Sequence, residues 1–142
     1  MTFSERDRTT PSPTLGSVTR GEFVCVMCPN GCLIEAEYTT DRPAALKSLS
    51  GNRCKKGKAW VKQEIENPMR TIATSVAVLG GDFGSASVRT SRPISRGKIF
   101  EVMGEIRGLP ALEAPVRIGQ VILKNPAGTE TDVVATREVA RA

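Results

Sequence analysis

"EFVCVMCPNGCLIEAEYTT" (residues 22–40) packs three of the chain's four cysteines into eight positions and then runs on in partial alternation. Ile34, Ala36 and Tyr38 fall on one face of that run, the period of a strand with one buried side. "EFVC" before it reads as a short strand leading into the first cysteine. "AALKSLS" (44–50) reads as a partner pairing back after the turn "DRP". Pro29-Asn30-Gly31 supplies a turn between Cys28 and Cys32. The fourth cysteine stands apart in "GNRCKKGKAW" (51–60), giving the spacing Cys25-x2-Cys28-x3-Cys32-x21-Cys54.

The chain has no histidine, which removes mixed Cys/His zinc sites, His-assisted cysteine nucleophiles and the usual imidazole base. Any metal ion would therefore be held most simply by the thiolates of Cys25, Cys28, Cys32 and Cys54. Structural zinc usually takes its tetrahedron from two similar CxxC knuckles. Here one loop offers three thiols and a distant position offers one. A cubane [4Fe-4S] cluster takes one cysteine at each of four irons, and a three-plus-one arrangement can wrap it. The gaps differ from the plant-type C-x4-C-x2-C pattern. The residues favour [4Fe-4S], with zinc as the alternative. Gly31 and Gly57 are expected to let backbone pass close to a bulky inorganic core. Arg53, Lys55 and Lys56 would offset its negative charge.

Bulk properties bound the rest. The 142 residues suffice for one ordinary domain or two very small ones, and with only 4% aromatics the core must rely on Val, Ile, Leu and Ala. No apolar run approaches the roughly 20 residues of a membrane span, and the N-terminus has no apolar signal segment, so a cytoplasmic protein is expected. There thiols stay reduced, and clustered cysteines point to metal or redox chemistry rather than disulfides. The net charge is +5, and residues 51–70 hold six basic side chains against two acidic ones. Only Trp60 is aromatic in that stretch, so a base-stacking surface for nucleic acid is poorly supported.

The expected plan is α+β: a tail over 1–21, a small cysteine-rich metal-binding β unit over 22–67, and a small α+β domain over 68–142. "KAWVKQEIE" (58–66) reads as a helix ending before Asn67-Pro68. "TIATSVAVLG" (71–80) and "ASVRTS" (86–91) read as strands around the Gly-rich turn "GGDFGS". "SRGKIFEVMGEIRG" (95–108) reads as an amphipathic helix with Ser95 as its N-cap and Ile99, Met103 and Ile106 facing inward. "QVILK" and "TDVVAT" are strands joined through "NPAGTE". The basic group Arg89, Arg92, Arg96 and Lys98 reads as solvated charge, with a second docking face as the alternative.

"CVMCPNGC … GNRCKKG" resembles the N-terminal iron–sulfur segment of the molybdopterin oxidoreductases, over about 35 residues. In that family a lysine lies between cluster and pterin, and the resemblance places Lys56 there. The chain is far too short for the pterin-binding domains, so neither molybdenum nor a pterin is expected. Over residues 23–137 the pattern "CPNGC", "CKKGKAW", "NPMRTIATSVAV", "VRTSRPISRGKIFEVMGEI" and "APVRIGQVI" resembles the domain of unknown function 1667 family. That family's genes commonly lie beside flavin-dependent dehydrogenases, glycerol-3-phosphate dehydrogenase-like proteins and NAD(P)/FAD oxidoreductases among them. The resemblance implies a small electron-transfer or accessory subunit of such an FAD-dependent dehydrogenase, non-catalytic in itself. The alternative is a zinc-stapled structural module that binds protein or, less readily, nucleic acid.

Overall fold

The chain alternates strand and helix segments of both periods, and the resulting α+β fold divides into two units, residues 1–66 and 67–142. The structure is a computed structural model and describes residues 16–142. Most of the expected tail lies outside the described residues. Its last part does not read as tail: β1 spans Val18–Val24, four residues earlier than Glu22. "VTRG" has little apolar signal of its own. It is a strand because β2 (Leu33–Thr39) holds it in full antiparallel register, from Val18 opposite Thr39 to Val24 opposite Leu33.

The first unit is a three-stranded antiparallel sheet, β1-β2-β3, with β3 at Leu46–Ser50, and one helix, α1, at Lys55–Glu66. Ile34 and Ala36 point inward from β2, and α1 meets them with Val61 buried and Trp60 and Ile65 partly buried. Gly57, Trp60, Val61 and Ile65 recur at helical spacing and form the inward stripe. Trp60 thus belongs to this small core. The far end of α1 is tied to the sheet where the Leu46 N–H donates to Glu66 Oε1 at 3.4 Å. On the open face Arg20 and Ser48 both donate to Glu37, at 2.6 and 2.9 Å.

The helix begins three residues earlier than its apolar pattern suggested, directly after Cys54. Lys55 and Lys56 are good helix formers, and no breaker separates them from Gly57.

The second unit is built on a five-stranded sheet in the order β8-β5-β6-β10-β9. β5 (Ala73–Leu79) and β6 (Ser85–Thr90) form the expected hairpin, and β9 (Val121–Lys124) pairs with β10 (Asp132–Ala135). Two very short pairings escaped the sequence pattern. β4 (Met69–Arg70) pairs with β7 (Ile94–Ser95), and β8 (Leu112–Glu113) runs parallel to β5. Two-residue strands carry no period to detect. The amphipathic helix α2 spans Ile99–Arg107 after a 3-10 turn at Arg96–Lys98, and Ser95 makes no side-chain capping bond. Its most buried residues are Val102 and Ile106, while Ile99 and Met103 are partly buried against the same core. Val88, Ile94, Val116, Val133 and Val139 complete that core.

The loop between β9 and β10 places Asn125, Ala127 and Glu130 in the left-handed region. Asn125 Oδ1 accepts from the Glu130 N–H at 2.7 Å, and the Ala127 N–H donates to Glu105 of α2 at 2.8 Å, so the strained backbone is held from two sides. Of the basic group around Pro93, Arg89 donates to the Thr90 carbonyl, Arg92 to the Glu130 carbonyl, and Lys98 to Glu101. These side chains are used to brace this unit.

Two outcomes follow. Ile94→Ala is expected to lower stability by about 2–5 kcal/mol in urea unfolding, because Ile94 is fully buried, whereas Phe100→Ala at an exposed site should stay within about 0.5 kcal/mol. The Glu37 carboxyl is held below the usual carboxylate range, first by the hydrogen bond from Arg20, then by that from Ser48 and by the Arg20 charge. Its contribution is present above the ordinary glutamate value and lost as pH falls through the lowered one. A carboxyl titration by NMR should show the low midpoint and its return toward the ordinary value in Arg20→Ala.

Candidate metal centre

Cys25, Cys28 and Cys32 lie at one end of the first unit, where the β1–β2 register puts them. With Val24 opposite Leu33, the next pair out is Cys25 and Cys32, and the Cys25 N–H donates to the Cys32 carbonyl at 2.9 Å. Residues opposed in this way sit roughly 4.5–5.5 Å apart at Cα. Both belong to the inward face, where Cys25 is buried and Cys32 half-buried. Between them lies the loop "VMCPNG", closed by the Gly31 N–H to the Cys28 carbonyl at 3.5 Å. Gly31 has φ +54°, a conformation that L side chains rarely adopt. Cys28 is exposed on this loop.

Cys54 comes from a separate stretch of the sequence. It is exposed and immediately precedes α1, and its carbonyl accepts from Asn52 Nδ2 at 3.3 Å. Gly57 brings the head of α1 against the sheet: a Cβ there would lie 3.2 Å from Ile34 Cδ1 and 3.6 Å from Cys25 Sγ. Gly57 is buried inside the helix, and its use is close approach. That approach places the first turn of α1 on the Cys25 thiol. Sequence reasoning missed Asn52 and the Cys25–Cys32 opposition, because the strand that sets the register begins in "VTRG".

The charge on α1 runs against its dipole. Its first turn carries Lys55, Lys56 and Lys58 and no acidic residue, while its last turn carries Glu64 and Glu66 and no basic one. A helix N-terminus already bears partial positive charge, and each misplaced charge costs about 0.3–1 kcal/mol at low ionic strength. Arg53, Lys55, Lys56 and Lys58 have no ion-pair partner among the described residues. An anionic centre at the cysteine end would relieve both the helix terminus and these cations.

Three features fit the residues to a four-thiolate metal centre. The donor set is right in number and chemistry. Gly57 lets the backbone of α1 lie close to Cys25, at a point where a Cβ would crowd Ile34. Among the described residues the fully buried apolar core of the unit is Cys25, Ile34, Ala36 and Val61, with partly buried side chains packed on it, thin for a small unit without a staple. The thiols nevertheless do not converge: among the described residues, no three side chains that could ligate a metal form a group. No helix among the described residues is long and apolar enough to cross a membrane.

The fold and this end together define a small α+β protein with a four-cysteine head. The chain belongs to the family described as Protein of unknown function (DUF1667), whose model matches residues 55–137, more than half of its length. The match is narrower than the pattern traced from residue 23. It takes in α1 and the second unit through β10 and begins one residue after Cys54, so the cysteines lie outside it. A comparison with curated proteins finds no match.

Gly57→Val is expected to lower stability by roughly 1–3 kcal/mol through overpacking against Ile34 and Cys25. Exposed Lys58→Ala, one residue on, should change it by less than about 0.5 kcal/mol. Chemical denaturation of the two variants checks this.

Proposed function

We propose that the chain is a [4Fe-4S]-carrying electron-transfer or accessory subunit of a flavin-dependent dehydrogenase, held by Cys25, Cys28, Cys32 and Cys54 and working in the cytoplasm, where thiols stay reduced. The observation that carries the reading is the placement of an uncompensated cationic helix head, Lys55, Lys56 and Lys58, directly beside the buried Cys25 thiol. When bound, such a cluster supplies one-electron transfer between a flavin and a further acceptor. The chain's own residues have three tasks. The β1–β2 hairpin orients Cys25 and Cys32 inward. Gly31 takes the left-handed turn of the cysteine loop, and Gly57 lets the head of α1 come close to Cys25. Lys56 and its neighbours offset negative charge, which tends to raise a reduction potential.

A structural zinc centre on the same four thiolates is the second reading. The thin core of the first unit favours it, since a zinc staple contributes folding energy without redox chemistry. The half-buried Trp60 and the sparse aromatics weigh against nucleic acid as the partner.

Anaerobic purification separates the readings. The iron–sulfur reading expects a brown protein with a broad band near ~400 nm, about four irons per chain, and bleaching of that band by a reduced flavoprotein dehydrogenase. A colourless protein with one tightly held zinc would overturn it.

A further inference from the structure

The cysteine loop is ringed by apolar side chains left in solvent. Val24 is 57% exposed, Val26 71%, Met27 50% and Leu33 52%. Val24 and Leu33 are cross-strand partners on the open face of the sheet, and Val26 and Met27 follow in the loop. Val24 leans back to within 4.0 Å of the Cβ position of Gly31, so the four residues flank one loop. Clustered exposed side chains of this size mark an interaction surface more often than scattered ones do.

The two flanks differ in charge. On the α1 side stand Arg53, Lys55, Lys56 and Lys58, exposed and without an ion-pair partner among the described residues. On the open sheet face, one step inward from Val24 and Leu33, Glu22 and Glu35 oppose each other across the strands. Like charges directly opposed are unfavourable, and here they repel an acidic approach from that side.

We propose that this loop end is a docking face for a second protein whose contact surface has an apolar centre and an acidic rim. The inference deepens the accessory-subunit reading and rests on it for the existence of a partner. The loop inserts its apolar residues, the cations of the α1 head meet the acidic rim, and Glu22 and Glu35 fix which way round the partner sits. A second copy of this chain is the poorer occupant. Its net charge is +5, and tip-to-tip packing brings two cationic heads together unless each meets the other's glutamates. Cys28, exposed on the same loop, sits within this face, so a docked partner covers it.

The test places a photo-crosslinking residue at Met27, and a control at the exposed Ile118 in the second unit, in the full chain expressed in its native cells. Crosslinked peptides are then mapped by mass spectrometry. The expected result is one partner protein captured from Met27 and not from Ile118, at a segment rich in Asp and Glu. Capture, compared at equal metal loading, should fall about tenfold or more in Lys55→Glu/Lys58→Glu, and should weaken as ionic strength rises. Capture of only a second copy, of lipid or of nucleic acid, no capture, or capture indifferent to the charge reversal would overturn the proposal. An acidic partner captured by a chain free of iron would leave the docking face standing while removing the iron–sulfur reading.

Discussion

One backbone hydrogen bond, from the Cys25 N–H to the Cys32 carbonyl, closes the hairpin on which the first unit depends. It extends the β1–β2 ladder by one step, and its register decides which face each neighbour occupies. A slip of one residue would put Cys25 on the face of Leu33 and Glu35, away from Cys32, Ile34 and Ala36. In the observed register they point inward, and α1 lies over them with Gly57 at the point of nearest approach. The same choice leaves Val24 and Leu33 outside. The thiol end and the apolar collar are thus two faces of one pairing.

The charge on α1 gives that arrangement its chemical direction. Isolated, a helix headed by lysines and ended by glutamates opposes its own dipole. Against a thiolate centre the same sequence becomes complementary. The second unit shows no comparable tension: its arginines brace loops, its larger core is filled by Val and Ile, and it holds no cysteine. The family match falls on α1 and this unit, so the cysteine head must be argued from the chain's own residues.

Much of this was legible in the sequence because long periods survive reading. The alternation of Ile34, Ala36 and Tyr38, the β5–β6 hairpin around its glycines, the β9 and β10 runs and the stripe of α2 all reappear as elements. What failed was local and physical. β1 is a strand by pairing rather than by propensity, two-residue strands have no period, and the close approach at Gly57 is to Ile34 and Cys25 from within α1. Of the candidate site, the four cysteines stand out by their spacing. Their relative placement does not, because it follows from a register set by "VTRG" and from where α1 begins.

In the proposed centre, four thiolates from the hairpin loop and the α1 head close on one metal site. Metal-edge X-ray absorption on the anaerobically purified chain, with each of Cys25, Cys28, Cys32 and Cys54 changed singly to serine, tests it most directly. A sulfur-only shell at about 2.3 Å is predicted, altered in each of the four variants. A shell of oxygen or nitrogen, or one that Cys54→Ser leaves unchanged, would contradict the account.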